Sequence, residues 1–305
     1  MARYRWTAAD MPSLEGRMVM VTGARGGVGA ATAAAFARAG AHVVLAVRDP
    51  QRGQAAARAM GGSTEVRELD LADLSSIRAF AQSWSGPLDI LVNNAGVAGL
   101  PGSATKDGFD LQFGTNHLGH FALTNLLLPH ITERVVTVAS GAHKSGTIHF
   151  DDLALRKRRY GFAASYGQSK LANLLFTLEL ERRLQLAGST VRSLAAHPGY
   201  AATSLGTKGQ PRALVAAANL AGRFFAQTSG QGALPSLFAA TQDLPGASYI
   251  GPDGRGELHG SPHWAVDRRP PATPPLPVAS GKSPKSSPAS ASDRMGLRPM
   301  RADFT

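Results

Sequence analysis

Tyr166 and Lys170 are the pair in this sequence best suited to moving a proton. At i and i+4 they share one face of a helix. A phenol near its reference pKa of about 10 is a poor base at neutral pH. A nearby ammonium favours the phenolate and lowers that value. Such a tyrosine donates a proton to an oxygen that gains charge, or takes one from an alcohol. Alone, a packed tyrosine beside an exposed lysine would explain the pair as well, so its surroundings decide. A second segment, Thr22-Gly23-Ala24-Arg25-Gly26-Gly27-Val28-Gly29, is shaped for phosphate. Gly23 makes the tight turn, Gly27 lets the backbone approach a pyrophosphate, and Gly29 permits close helix–sheet packing. The helix that follows adds free N–H groups and a favourable dipole. His117 and His120 also share a face, but they lack a His-Glu-x-x-His pattern and an acidic partner. Helix packing is expected of His120, and no metal site.

The elements that must position these groups alternate along the chain. Strands are expected at Met18–Thr22, His42–Val47, Thr64–Leu69, Leu88–Val92, Arg134–Ala139 and Thr190–Ala195, with a short seventh at Ala247–Ile250. Helices are expected at Ala30–Ala39, after Asp49-Pro50, from an Asp73 cap to Trp84, at Asp110–His130 and at Tyr166–Leu186. The strands are nearly continuous apolar runs, as when helices cover both faces. This alternation predicts an α/β fold with a doubly wound parallel sheet in a single domain. Ligands then bind at the carboxyl ends of the strands.

The Gly-rich spacing is Thr-Gly-x-x-x-Gly-x-Gly, and with it the chain resembles the short-chain dehydrogenase/reductase superfamily. Four further segments match in order: Asp70-Leu71, Asn93-Asn94-Ala95-Gly96, Tyr166-Gly167-Gln168-Ser169-Lys170, and His197-Pro198-Gly199 with Thr203. The resemblance covers about residues 14–265 and implies a Rossmann-like sheet of about seven strands. It implies that Asp70 and Leu71 hold the adenine, that Asn94, Ala95 and Gly96 lie beside the cofactor, and that Pro198, Gly199 and Thr203 hold the nicotinamide carboxamide. It further implies that Tyr166 is the acid/base, that Lys170 also holds the ribose, that Ser140 orients the substrate oxygen, and that Asn116 supports a water-mediated proton relay. Ser140 and Tyr166 are 26 residues apart, and the insertion carries Arg156-Lys157-Arg158-Arg159. That length, with Asn116-His-Leu-Gly-His-Phe121 and Ser169-Lys-Leu-Ala-Asn173, is similar to the retinol-dehydrogenase-like and protochlorophyllide-reductase-like branch.

Cofactor choice turns on the end of the second strand. Where NAD-preferring enzymes place an acid for the ribose 2′-OH, this chain has Ala46-Val47-Arg48-Asp49. Arg48 offers a planar cation to a 2′-phosphate and Arg25 a second, while Asp49 before Pro50 is expected to cap a helix. NADP is therefore expected over NAD. The expected reaction interconverts a carbonyl and an alcohol on a small lipophilic substrate. Leu205–Gln231, with Leu205, Leu214, Val215, Leu220, Phe224 and Phe225, is expected to set substrate choice. The alternative is a non-catalytic dinucleotide-binding sensor or scaffold.

The 305 residues are 43% hydrophobic and 17% charged, which argues against general disorder, and contain no cysteine, which excludes disulfides and thiol chemistry. Net charge is +11, but it is scattered, with no nucleic-acid signature, so no nucleic-acid partner is expected. No stretch reaches the roughly 18 apolar residues of a membrane span, and the start has no secretory apolar region. A cytoplasmic location with peripheral membrane contact is expected. Three segments follow: residues 1–13 as an N-terminal extension, 14–269 as the catalytic domain, and 270–305, with eight Pro and six Ser, as a disordered tail. Leu123, Leu126, Leu127, Leu174, Leu175 and Leu178 offer apolar surface for a homo-oligomer.

Overall fold

The computed structural model describes residues 5–98, 102–153, 162–200 and 227–265. Thr203, the Arg156–Arg159 run, the 270–305 tail and most of the expected substrate segment lie outside the described residues. The sheet is built from β1 (Met18–Thr22), β2 (His42–Val47), β3 (Thr64–Glu68), β4 (Leu88–Asn93), β5 (Ile131–Val138), β6 (Arg192–Ala196), β7 (Tyr249–Pro252) and β8 (Pro262–Trp264). Their spatial order is β3-β2-β1-β4-β5-β6-β7-β8. The first seven pair in parallel, and β8 runs antiparallel to β7. The sheet thus has eight strands rather than about seven. Pro262-His263-Trp264 has no apolar run to betray it and is a strand only through its pairing with Gly251 and its neighbours.

Side chains alternate between the sheet's two faces with period two. Val19 and Val21 join the cluster that holds Phe36 of α1 (Gly27–Arg38) and Leu237 of α6 (Ser229–Thr241). Met20, between them, enters the opposite cluster with Leu123, Leu127, Phe176 and Leu180. Both faces are covered, which is why the strands are apolar throughout. Trp6, in the segment expected to be an extension, is buried and meets Phe238 edge-on with ring centroids 5.2 Å apart.

Carboxylates start three of the helices. Asp49 caps α2 (Pro50–Met60) through Arg52 N at 3.1 Å, and Asp73 caps α3 (Leu74–Gln82) through Ser75 N at 2.8 Å. Asp110 accepts from Gln112 N and Phe113 N at the start of α4 (residues 111–127). The expected Asp110–His130 helix is not uniform. It widens to π geometry at Gly114–Leu118, where Gly119 N bonds Gly114 O, and tightens to 3₁₀ at Leu128–His130. Periodicity does not report such a register change, because it lies in which carbonyl each N–H meets and spans a single turn. α5 spans Phe162–Leu186, beginning four residues before the expected Tyr166. Of the six leucines, Leu123 and Leu127 are core, while Leu126, Leu175 and Leu178 remain exposed beside an exposed Phe121.

Candidate active site

The strand order reverses between β1 and β4, where a doubly wound sheet leaves a crevice at its carboxyl edge. A cleft of about 330 Å³ lies there. It is lined by Gly23, Arg25, Gly27, Val28 and Gly29 after β1, by Arg48 after β2, and by Asp70 and Leu71 after β3. Asn94, Ala95 and Gly96 after β4, Tyr166 and Lys170 of α5, and Pro198 after β6 complete it among the expected residues. Thus one surface carries both the phosphate loop and the Tyr–Lys pair.

The glycines are needed where they stand. Gly23 has φ +70°, and a Cβ on it would come within 2.9 Å of Ala95. A Cβ on Gly29 would fall 2.3 Å from Asn94 Nδ2, which donates to Thr22 O at 2.8 Å. Gly26 caps α1 without a side-chain bond, so the first N–H groups of the helix stay free of a side-chain acceptor. Backbone cradle, helix N-terminus and small residues together fit the pyrophosphate of a dinucleotide. Arg25 and Arg48 are exposed at the rim. Asp49 is engaged with the α2 N-terminus and with Arg52 Nε at 3.3 Å. Asp70 turns Oδ1 to Ala72 N at 2.9 Å and shapes the loop beneath Leu71.

At the other end Lys170 is 3% exposed, donates from Nζ to Val138 O at 2.9 Å and lies 5.7 Å from the centre of the Tyr166 ring. Burial pulls its pKa down to about 8. Burial also pushes the Tyr166 phenol up, and a hydrogen bond with Ser140 opposes that push. The net shift is upward, opposite to the lowering expected from Lys170. Loss of water around the phenolate sets the direction, and the Lys170 ammonium faces the Val138 carbonyl instead. Ser140 does not end β5, which stops at Val138; it begins a 3₁₀ turn and accepts from Ala142 N at 3.2 Å. That turn rests on α5 where two glycines meet, since a Cβ on Gly146 would fall 2.4 Å from Gly167 O. This contact brings Ser140 against Tyr166 despite the long insertion.

Asn116, in the π turn, is fully buried. Its Oδ1 accepts from Val97 N at 2.7 Å, and its Nδ2 donates to Val97 O at 3.0 Å and Ser169 Oγ at 3.1 Å. A Cβ on Gly96 would sit 3.4 Å from Asn116 Oδ1 and 3.9 Å from Lys170 Nζ, so these groups are neighbours. Gly199, with φ +64°, turns the chain after Pro198, whose carbonyl accepts from Gln227 Nε2 at 3.2 Å. Sequence reasoning missed the Thr22 hydroxyl as a junction, the Gly146–Gly167 contact, and Tyr249, whose buried ring lies edge-on to His143 at 5.6 Å. His143 itself is tied to Ser140 O at 2.7 Å. Of these, only Thr22 carried a signal, its place at the end of β1.

The family model described as short chain dehydrogenase matches residues 17–212. Human retinol dehydrogenase 13 is 48% identical over 206 residues, covering 64% of this chain and 62% of that protein, which is under two thirds of its length. Human retinol dehydrogenase 14 is 41% identical over 278 residues, covering 82% of each chain. A crystal structure of a protein from Mycobacterium Paratuberculosis superposes with a TM-score of 0.75 at 53% identity, over 87% of this chain and 90% of that one. A structure from Beutenbergia cavernae with NADP bound at low occupancy superposes with a TM-score of 0.59 at 29% identity, over 75% of this chain and 91% of that one.

Proposed function

The chain belongs to the short-chain dehydrogenase family of oxidoreductases, in its retinol-dehydrogenase-like branch, and from that premise we propose that it interconverts a carbonyl and an alcohol on a lipophilic substrate with NADP. The observation that carries the reading is the Ser140–Tyr166 hydrogen bond beside a cleft whose other end is the glycine cradle. When bound, the nicotinamide supplies or accepts the hydride. Tyr166, its phenol held above the ordinary value, stays protonated at neutral pH and donates that proton to the carbonyl oxygen. Ser140 turns its hydroxyl to the same oxygen and fixes its position. The Lys170 ammonium lies beside the tyrosine and would hold the cofactor ribose, and Asn116 secures the Val97 backbone. A protonated phenol suits reduction; oxidation needs the phenolate and gains as pH rises.

Two features support NADP: the exposed guanidiniums of Arg25 and Arg48 at the rim, and an Asp49 already engaged as a helix cap. A 2′-phosphate would receive charge-assisted bonds from these two side chains. The names of the curated relatives support a lipophilic substrate. Among the described residues no helix is long and apolar enough to cross a membrane. The test is a panel of aldehydes, ketones and alcohols, retinoid-like compounds included, run with each nicotinamide cofactor and followed by absorbance of the reduced ring. Turnover of lipophilic carbonyls with NADPH is the expected result. Tight NADPH binding with no turnover across the panel would refute catalysis and favour the sensor reading.

A further inference from the structure

His120 has no part in the chemistry just described, yet both its ring nitrogens are used. Nε2 lies 2.8 Å from Thr22 Oγ1 and Nδ1 3.0 Å from the main-chain oxygen of Asn116. A carbonyl cannot donate, so Nδ1 carries the proton and Nε2 presents a lone pair. Thr22 therefore donates its hydroxyl proton to Nε2, since the other acceptor within reach, Val92 O, is farther away at 3.4 Å. With its proton committed, the Thr22 oxygen accepts from Asn94 N and Ala95 N, each at 2.9 Å. At the far end of the same short loop Val97 is clamped by the Asn116 side chain. The path from Thr22 through Asn94–Val97 to Asn116, and back through His120 to Thr22, is a closed ring.

Every polar side chain in that ring is buried: Thr22, Asn116 and His120 are at most 1% exposed. A buried group that loses its partner forfeits the bond and keeps the desolvation cost, so opening the ring at any point is expensive. Burial also keeps His120 neutral, with its pKa pulled down to about 3, which preserves the single tautomer the ring requires. The carbonyl that His120 satisfies belongs to the widened turn of α4. There the backbone has left its ordinary register, and His120 adds a side-chain donor to that carbonyl.

We propose that His120 is a positioning residue with two separable tasks, its Nε2 bond setting the nucleotide loop through Thr22 and its Nδ1 bond setting the Asn116 turn at the reaction site. The inference rests on reading the cleft as a dinucleotide site. Its two bonds act on different properties. The Nε2 bond orders Thr22 and through it the Asn94–Gly96 wall that meets the cofactor. The Nδ1 bond holds the Asn116 carbonyl, and with it the side chain that reaches Ser169, whose hydroxyl donates to Tyr166 O at 2.8 Å.

Two conservative variants separate these roles. In His120→Asn the shorter amide places a donor near the Nδ1 position and leaves the Thr22 hydroxyl only the longer contact to Val92 O. In His120→Gln the longer amide reaches the Nε2 position and removes the side-chain donor from Asn116 O. NADPH and NADH affinities are measured by calorimetry on the full chain, apart from turnover, and kcat is measured on the best carbonyl of the panel. His120→Asn is expected to weaken NADPH binding about tenfold while kcat stays within about twofold. His120→Gln is expected to bind within about twofold of wild type and lose about tenfold in kcat. Thr22→Val should reproduce the binding loss of His120→Asn, and Thr22→Ser should restore it, which keeps the test intact if a His120 variant fails to fold. Equal losses of affinity and kcat in both variants, or wild-type values in both, would overturn the assignment of a separate positioning task to each ring nitrogen. A wild type that binds neither NADPH nor NADH would overturn the dinucleotide reading itself, which the calorimetry reports separately.

Discussion

Replacing Lys170 by Met should abolish turnover and yet make the protein more stable. The lysine is 3% exposed, and burial takes its pKa from 10.5 to about 8. At 1.36 kcal/mol per unit, keeping the ammonium charged in the folded state costs about 3 kcal/mol at neutral pH. Methionine has a similar length and no charge. The variant loses the bond to Val138 O, worth about 1 kcal/mol. That carbonyl is not orphaned, because Asn173 Nδ2 also donates to it at 3.1 Å. The net gain is about 2 kcal/mol, or about 4–8 °C in Tm for a domain of this size. The folded pKa lies below the unfolded one, so between about pH 8 and 10.5 the unfolded chain binds more protons and wild-type stability rises with pH. The advantage of the variant is therefore complete below about pH 8 and closes by about pH 10.5. Thermal unfolding of both proteins without added nucleotide, from pH 6.5 to 10.5, measures it. A variant no more stable than wild type at pH 7, or an advantage that does not shrink at high pH, would refute the claim that Lys170 is held charged against burial.

Arg48→Ala should cost NADPH affinity about tenfold and leave NADH nearly unchanged, as calorimetry would show; equal wild-type affinities for the two would remove the case for NADP. Tyr166→Phe keeps the ring and removes the proton, so kcat should fall at least a hundredfold while cofactor Kd holds; a turnover assay showing near-normal kcat would end its role as acid. In Gly29→Ala the new methyl must displace Asn94 from Thr22 O, so NADPH binding should be lost and Tm should drop by several degrees. Leu175→Glu with Leu178→Glu charges the exposed face of α5, and sedimentation should show an oligomer dissociating; a wild type that is monomeric at every concentration would contradict the assembly.

Much of this architecture was legible in the residues because it is local. Apolar runs such as Val19–Val21 and Val43–Leu45 need cover on both faces, and that requirement alone implies helices above and below a parallel sheet. Asp49, Asp73 and Asp110 precede their helices because a carboxylate there satisfies free N–H groups within three residues. The glycine loop and the i, i+4 pair Tyr166 and Lys170 are likewise set by short spacing, and the cleft brings them together as expected.

What the tertiary structure alone decided involves partners distant in the chain. The strand Pro262–Trp264 exists because β7 offers it an edge. The π turn in α4 comes from hydrogen-bond register, which residue types along one turn do not specify. Ser140 reaches Tyr166 across the insertion because Gly146 and Gly167 allow two backbones to touch. The sign of the Tyr166 shift could not come from its distance to Lys170 along the helix. It depends on how much water the whole fold removes from the phenol, and on Lys170 turning to Val138 O instead. His120 shows the same division: its spacing placed it on a buried helix face, but only the fold revealed that Thr22 and the Asn116 carbonyl meet its two nitrogens. Short-range spacing determines which groups share a helix face or a turn, whereas desolvation and hydrogen-bond closure are summed over everything the fold brings within a few ångströms.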